Sequence, residues 1–181
     1  MVEKVDTVQY CENDGVNNWD PTGHMSSKQK RDALIKAGRY SLNHGSYVWG
    51  QPVGFVDLYN YGTDKGKTSW SKFKSDCSGL TRAIYYTAYM KKLSARTAIG
   101  QSQMGKYVSF SNMKPGDIMC FKGYLDKPDV VTHVGIYEGV VNNKKYVIHI
   151  TGSLKKVSRS PLGDNDIWRK LWLKSRNVVG D

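Results

Sequence analysis

The chain has only three cysteines, Cys11, Cys77 and Cys120, in 181 residues. An odd and scattered set cannot build a disulfide framework and leaves at least one thiol free. None pairs as Cys-x-x-Cys and there is no His-Glu-x-x-His, so neither a zinc site nor any other cofactor is expected. No apolar run approaches the ~20 residues of a membrane-spanning helix. Residues Met1 to Asp6 lack a basic segment and an apolar stretch, so no signal peptide is expected. Acidic residues are short as well: 16 against 27 basic ones, a net charge of +11. Such an imbalance favours polyanionic partners, whether nucleic acid, an anionic membrane or a wall bearing phosphate polymers. The basic residues are nevertheless spread along the chain (Lys30-Arg31, Lys91-Lys92, Lys144-Lys145, Lys155-Lys156). No nucleic-acid-binding signature gathers them, so a general surface charge is expected and nucleic acid is not.

What is present describes one globular domain, 39% hydrophobic and 24% charged. Residues 1–25 are polar and carry turn signals at Asn13-Asp14-Gly15 and Asp20-Pro21-Thr22-Gly23, an N-terminal extension before a domain spanning 26–181. Ser26-Ser27 can cap a helix to about Leu42, ended by Asn43-His44-Gly45. Residues 51–75 read as a long connection dotted with aromatic residues, and a loop of that length tends to be functional. A short helix fits Ala98 to Met104. From Met113 the period changes to two: a turn at Lys114-Pro115-Gly116-Asp117, then strands over Ile118–Phe121, Val130–Tyr137 and Tyr146–Thr151, with residues 138–144 as a hairpin turn. Ile167 to Leu173 alternates as a final strand. Helices first and antiparallel strands afterwards is the α+β arrangement, with N-terminal helices packed on a central antiparallel sheet.

The stretch Ser75-Asp76-Cys77-Ser78-Gly79 precedes an apolar pattern, Leu80, Ala83, Ile84, Thr87 and Ala88, that follows one face of a helix. Asp76 or Ser75 can cap its first turn, which puts Cys77 at the helix N-terminus. Unsatisfied N–H groups and the helix dipole there favour a thiolate, the nucleophilic form. The competing reading makes Cys77 a small buried hydrophobe; Cys120, inside an apolar run, reads as core. Two of the four histidines, His133 and His149, fall in adjacent strands. In an antiparallel pair, opposed residues share a face and their numbers have a constant sum. A sum of 282 would put both histidines on one face; a two-residue Asn142-Asn143 turn gives 285 and opposite faces. The sequence alone does not choose.

Taken in order, Tyr47-x-Trp49-Gly50, Asp76-Cys77-Ser78-Gly79-Leu80, Pro115-Gly116-Asp117, His133-Val134-Gly135-Ile136-Tyr137 and Ile148-His149 resemble the NlpC-type family of papain-like cysteine peptidases, which cut bacterial cell-wall peptides. Trp168, Trp172 and Ser175-Arg176 resemble that family's last strand. The resemblance covers roughly residues 30–178. It implies a peptidoglycan hydrolase with Cys77 as nucleophile, His133 as general base and His149 as the group orienting the base, Tyr47 beside the site, and Asp76 and Ser78 binding a free amine of the substrate. The backbone N–H of Cys77 would help form an oxyanion hole. Gln51 stands where a second glycine is usual, and the connection from Gln51 to Ser75 is longer than usual. The implied partner is the peptidoglycan stem peptide, with anionic wall polymers as further candidates, and the implied place of action is the bacterial cell wall. Amide cleavage in the stem, the γ-D-glutamyl–diamino acid bond foremost, stands beside amidase action at the sugar–peptide junction or a related acyl transfer on the same fold, and a non-catalytic wall-binding module is the alternative of another class.

Overall fold

The computed structural model describes residues 24–51, 54–62 and 68–180. The expected extension over residues 1–25, Cys11 included, lies almost wholly outside the described residues. The first helix, α1, spans Ser27–Tyr40. Ser26 and Gln29 cap it reciprocally: the Gln29 amide donates to Ser26 Oγ at 3.2 Å and the Ser26 amide to Gln29 Oε1 at 2.8 Å. Two short strands, β1 (Ser46–Tyr47) and β2 (Lys74–Ser75), pair in parallel. Between them the connection expected to be a loop holds a helical turn, α2 (Leu58–Tyr61), and a 3-10 turn over Trp70–Lys72. Tertiary contacts create these, as so short a helix is unstable alone. Thr87 Oγ1 accepts from the Leu58 amide at 2.8 Å. Trp70 packs against Tyr40, Tyr61 and Phe73, and lies stacked on His44.

The second long helix, α3, runs Cys77–Tyr89, and its five expected inward positions are all buried. A short helix follows, α4 (Ala98–Gln101), ending before the expected Met104. The main sheet comprises β3 (Lys106–Val108), β4 (Ile118–Phe121), β5 (His133–Val141), β6 (Lys144–His149), β7 (Ser158–Pro161) and β8 (Trp172–Asn177). Its spatial order is β3-β8-β4-β5-β6-β7 and every neighbouring pair is antiparallel. One face carries Ile118, Cys120, Val134, Ile136 and Ile148 against Leu34, Leu80 and Ile84 of α1 and α3. The other face carries Met119, Phe121, Tyr137 and Val147 with Leu162 and Leu171. The Pro115-Gly116-Asp117 turn leading into β4 is clamped to both helices. Arg31 donates to Asp117 Oδ1 at 2.9 Å and to the Pro115 carbonyl at 2.8 Å, and the Tyr85 hydroxyl donates to the Gly116 carbonyl at 2.8 Å.

Two expectations are corrected. The segment 167–173 is not one strand: it forms a helical turn, α5 (Ile167–Leu171), and β8 begins at Trp172. Trp168 and Leu171 both pack on the second cluster. Three residues apart, they would face opposite ways in a strand but share a face in a helix. The hairpin turn is also far tighter than residues 138–144. Only Asn142 and Asn143 lie outside β5 and β6, both with left-handed φ, 48° and 62°, as a two-residue type I′ turn requires.

That turn sets an odd register, and a bulge makes it even. Next to the turn, Val141 opposes Lys144 and Gly139 opposes Tyr146, a sum of 285. Beyond Glu138, Tyr137 opposes Val147 and Ile136 opposes Ile148, a sum of 284. Glu138 is the extra residue of a β-bulge. Its side chain is fully buried, and its Oε1 accepts from Arg39 at 2.8 Å and Arg159 at 2.5 Å. Gly139 beside it has φ 102°. Two constraints meet here: the Asn142-Asn143 turn demands an odd sum, and burying both Ile136 and Ile148 on the helix side demands an even one. With the even register, His133 and His149 share a face, which neither candidate sum had foreseen in this form. Deleting Glu138 removes the bulge without changing the partner of Tyr137. Cross-strand NOEs between Tyr137 and Val147 should therefore persist, while loss of the buried charged hydrogen bonds lowers stability by about 1–3 kcal/mol in urea unfolding.

Candidate active site

Five of the six sequence-predicted residues, Tyr47, Asp76, Cys77, Ser78 and His133, line one cleft of about 500 Å³, and the sixth, His149, is fully buried beside His133. Cys77 opens α3 and is buried. Asp76 caps that helix, its Oδ1 accepting from the Gly79 amide at 2.8 Å. His133 opens β5. Its Nε2 lies 2.9 Å from Nδ1 of His149, whose own Nε2 lies 2.8 Å from Ser160 Oγ. A hydrogen-bonded chain thus runs His133–His149–Ser160 across three adjacent strands. With His133 Nε2 engaged, its Nδ1 is the nitrogen left to serve as a base. The tautomers that leave it unprotonated have each ring donating from Nε2, His133 to His149 and His149 to Ser160. Trp168 covers the pair, its ring centroid 4.3 Å from His149 and 5.1 Å from His133, edge-on to the former.

The electrostatics differ from the expected thiolate. Burial pushes the Cys77 thiol up to about 11, and the Asp76 carboxylate adds to this. The backbone N–H groups of Val134, Ser78 and Cys77 itself pull the other way but do not win. A helix N-terminus is worth at most ~2 kcal/mol to an anion, less than removing a charge from water. Burial likewise lowers His133 to about 3, and burial and then the neighbouring His133 hold His149 well below its ordinary value. Taken singly, a thiolate on Cys77 and an imidazolium on either histidine are each disfavoured by burial. Among the described residues no hydrogen bond joins the sulfur to the His133 ring, although both line the same cleft. Tyr47 is raised by burial, then by Cys77 and Asp76.

Sequence reasoning missed Arg96. Its guanidinium holds Asp76 in a fork, Nη1 to Oδ1 at 3.0 Å and Nη2 to Oδ2 at 2.8 Å, while Nη1 donates to Ser78 Oγ at 2.8 Å and Nη2 to the Gln51 carbonyl. Burial works against the Asp76 carboxylate, but Arg96, the Gly79 amide and Ser78 outweigh it and hold the group below its ordinary range. Gln101 fixes the loop that carries Arg96, donating to the Ser78 carbonyl at 2.9 Å and accepting from Thr81 at 2.6 Å. Ser160 was missed too, lying in a Ser-Arg-Ser-Pro segment that reads as a loop. None of the described residues between 54 and 75 lines the cleft; the aromatic ones pack against the helices instead. Among the described residues no cluster of three His, Cys, Asp or Glu side chains is disposed to hold a metal, and no helix is long and apolar enough to cross a membrane.

The family model for the NlpC/P60 family matches residues 56–177. The chain belongs to the NlpC/P60 family. Its α+β fold is the papain-like fold of that family. A curated relative, the murein DD-endopeptidase MepS/murein LD-carboxypeptidase of Escherichia coli (strain K12), is 31% identical over 104 residues, 58% of this chain and 50% of the relative. The chain thus spans about half the length of that relative. Among solved structures, the peptidoglycan hydrolase RipB of Mycobacterium tuberculosis superposes with a TM-score of 0.59 at 22% identity, covering 96% of this chain and 79% of RipB. RipD of the same organism, titled a non-catalytic NlpC/p60 domain protein adapted to peptidoglycan binding, superposes at 0.54 with 20% identity, covering 82% of this chain and 97% of RipD. At these identities the two are likenesses of fold.

Both histidines of this NlpC/P60 site are depressed from an ordinary value near 6.5. The unfolded chain takes up those protons first as pH falls. Stability is therefore full above about 6.5 and is lost toward pH 3, by up to ~1.4 kcal/mol per pH unit for each ring. Urea unfolding followed between pH 7 and 4 should show that slope. A variant with Gln at 149 should show roughly half of it.

Proposed function

We propose that the chain is a peptidoglycan hydrolase that cleaves an amide of the wall stem peptide by way of a Cys77 thioester, with the γ-D-glutamyl–diamino acid bond as the leading candidate and the bacterial cell wall as its place of action. The observation that supports this most is the meeting, in one cleft, of a cysteine at a helix start with His133, the first member of the His133–His149–Ser160 chain. A module that only binds has no use for that arrangement. The sulfur attacks the carbonyl carbon while its proton passes to His133 Nδ1, because each charge is disfavoured singly by burial and the two form together. The oxyanion is met by the backbone N–H of Cys77. Collapse expels the amine, which takes the proton from His133. Water, deprotonated by the same nitrogen, then releases the new carboxylic acid and restores the thiol. His149 keeps the His133 ring oriented and its Nε2 proton engaged, and Ser160 does the same for His149. Tyr47, Asp76 and Ser78 line the substrate's path. The +11 charge suits a wall carrying anionic polymers.

Amidase action at the sugar–peptide junction uses the same chemistry on a different bond. Mass spectrometry of fragments released from defined peptidoglycan separates the two. Wild-type protein should release peptide fragments cut within the stem. Cys77→Ala should release none while still sedimenting with the wall. Ser160→Ala should keep the fold and lower kcat by about 10- to 100-fold, the usual effect of removing an outer hydrogen-bond partner. Release that survives Cys77→Ala would end the proposal.

A further inference from the structure

Trp49 stands nearly free in solvent, 85% exposed. The other described tryptophans, Trp70, Trp168 and Trp172, each pack against aromatic rings. Its exposure is not looseness. Trp49 occupies the tip of a turn in which the Gln51 amide reaches back to the Val48 carbonyl at 3.4 Å, and Gly50 supplies a left-handed φ of 67° at the second central position. Both flanks are anchored. The Tyr47 amide donates to the Lys155 carbonyl at 2.7 Å, the Val48 amide to the Ser75 carbonyl at 3.0 Å, and the Gln51 carbonyl accepts from Arg96. The indole is thus held out on the wall of the cleft, together with Ile99, which is 51% exposed.

The charge at that end of the cleft selects the occupant. Asp76 is the carboxylate on the cleft wall, and its oxygens already accept from Arg96, Ser78 and the Gly79 amide. An ammonium placed there would meet a carboxylate whose charge Arg96 already balances and whose Oδ1 already accepts three hydrogen bonds, leaving Oδ2, with Arg96 as its one donor, as the remaining acceptor. What the wall does offer is an exposed aromatic face, and an exposed aliphatic side chain, Ile99, on the same cleft. The negative face of an indole attracts polarised C–H groups, which the apolar face of a pyranose presents.

We propose that Trp49 is a carbohydrate platform, stacking a sugar ring of the glycan to which the stem peptide is joined. Resting on the hydrolase reading above, this makes the glycan-linked stem, rather than the freed peptide, the preferred substrate.

The test compares a disaccharide-linked stem peptide with the same peptide N-acetylated at its first residue, so that both lack an N-terminal ammonium. Wild type should favour the sugar-linked form in kcat/KM, and Trp49→Ala should reduce that ratio by about tenfold, with Trp49→Phe intermediate. An unchanged ratio overturns the platform. A second arm does not depend on cleavage: tryptophan fluorescence of Cys77→Ala and of Cys77→Ala/Trp49→Phe, each titrated with both compounds. A signal owed to Trp49 that responds to the sugar-linked peptide alone supports the platform even where no bond is cut, in which case the hydrolase reading fails by itself. A Trp49 signal equal for both compounds overturns the platform even where cleavage is seen. Concentration-dependent sedimentation of wild type that Trp49→Ala abolishes also overturns it, by assigning the ring to contact between copies.

Discussion

The hydrogen-bonded chain from His133 through His149 to Ser160 is the constraint on which the rest of the site depends. It requires three consecutive sheet strands in one relative register, and it requires a neutral His149, whose Nδ1 accepts from His133 while its Nε2 donates to Ser160, in a dry setting. The sheet meets the first demand and the cover of Trp168 helps to meet the second. Buried polar groups must be paired, and here each ring nitrogen inside the chain has its partner. Burial then determines the chemistry. A lone thiolate and a lone imidazolium are both unfavourable at this depth, so the charges arise together or not at all. That arrangement keeps the thiol quiet until a substrate carbonyl accepts the electrons.

The bulge at Glu138 shows how such a register is reached when local and global demands disagree. Asn142 and Asn143 suit a two-residue turn, and nothing near the turn opposes the odd register it sets. The apolar pattern of Val134, Ile136 and Ile148 opposes it further along, because those residues belong between the sheet and α1 and α3. One residue has to leave the ladder, and the one that leaves is a glutamate whose carboxylate finds Arg39 on a helix and Arg159 on another strand. The Arg96 fork at Asp76 has the same character: a buried charge near the site is stabilised from a distant part of the chain.

Those long-range partners mark the limit of what the sequence reveals. The helix begun by Cys77 is legible because its apolar spacing is local, and the strand Ile118–Phe121 because its ends are a turn and a polar run. The even register is not, since it depends on the meeting of Glu138 with Arg39, 99 residues away. Arg96 is invisible for the same reason: nothing in Leu93 to Gln101 says that its loop folds back over α3. Ser160 hides in a segment whose serines and proline suggest a loop. The helical turn at Trp168 was misread because a short alternating run also satisfies a strand, and only the shared packing of Trp168 and Leu171 decides it. The expected thiolate sets a helix-terminus effect against a burial that the sequence does not disclose and that disfavours a lone thiolate.

The neutrality of the imidazole chain is the claim most directly open to measurement. Nitrogen-15 chemical shifts of the His133 and His149 rings at pH 7 report protonation nitrogen by nitrogen. Both rings should be neutral, each with its proton on Nε2. A doubly protonated His133 ring at that pH would mean a standing thiolate–imidazolium pair and would contradict the account.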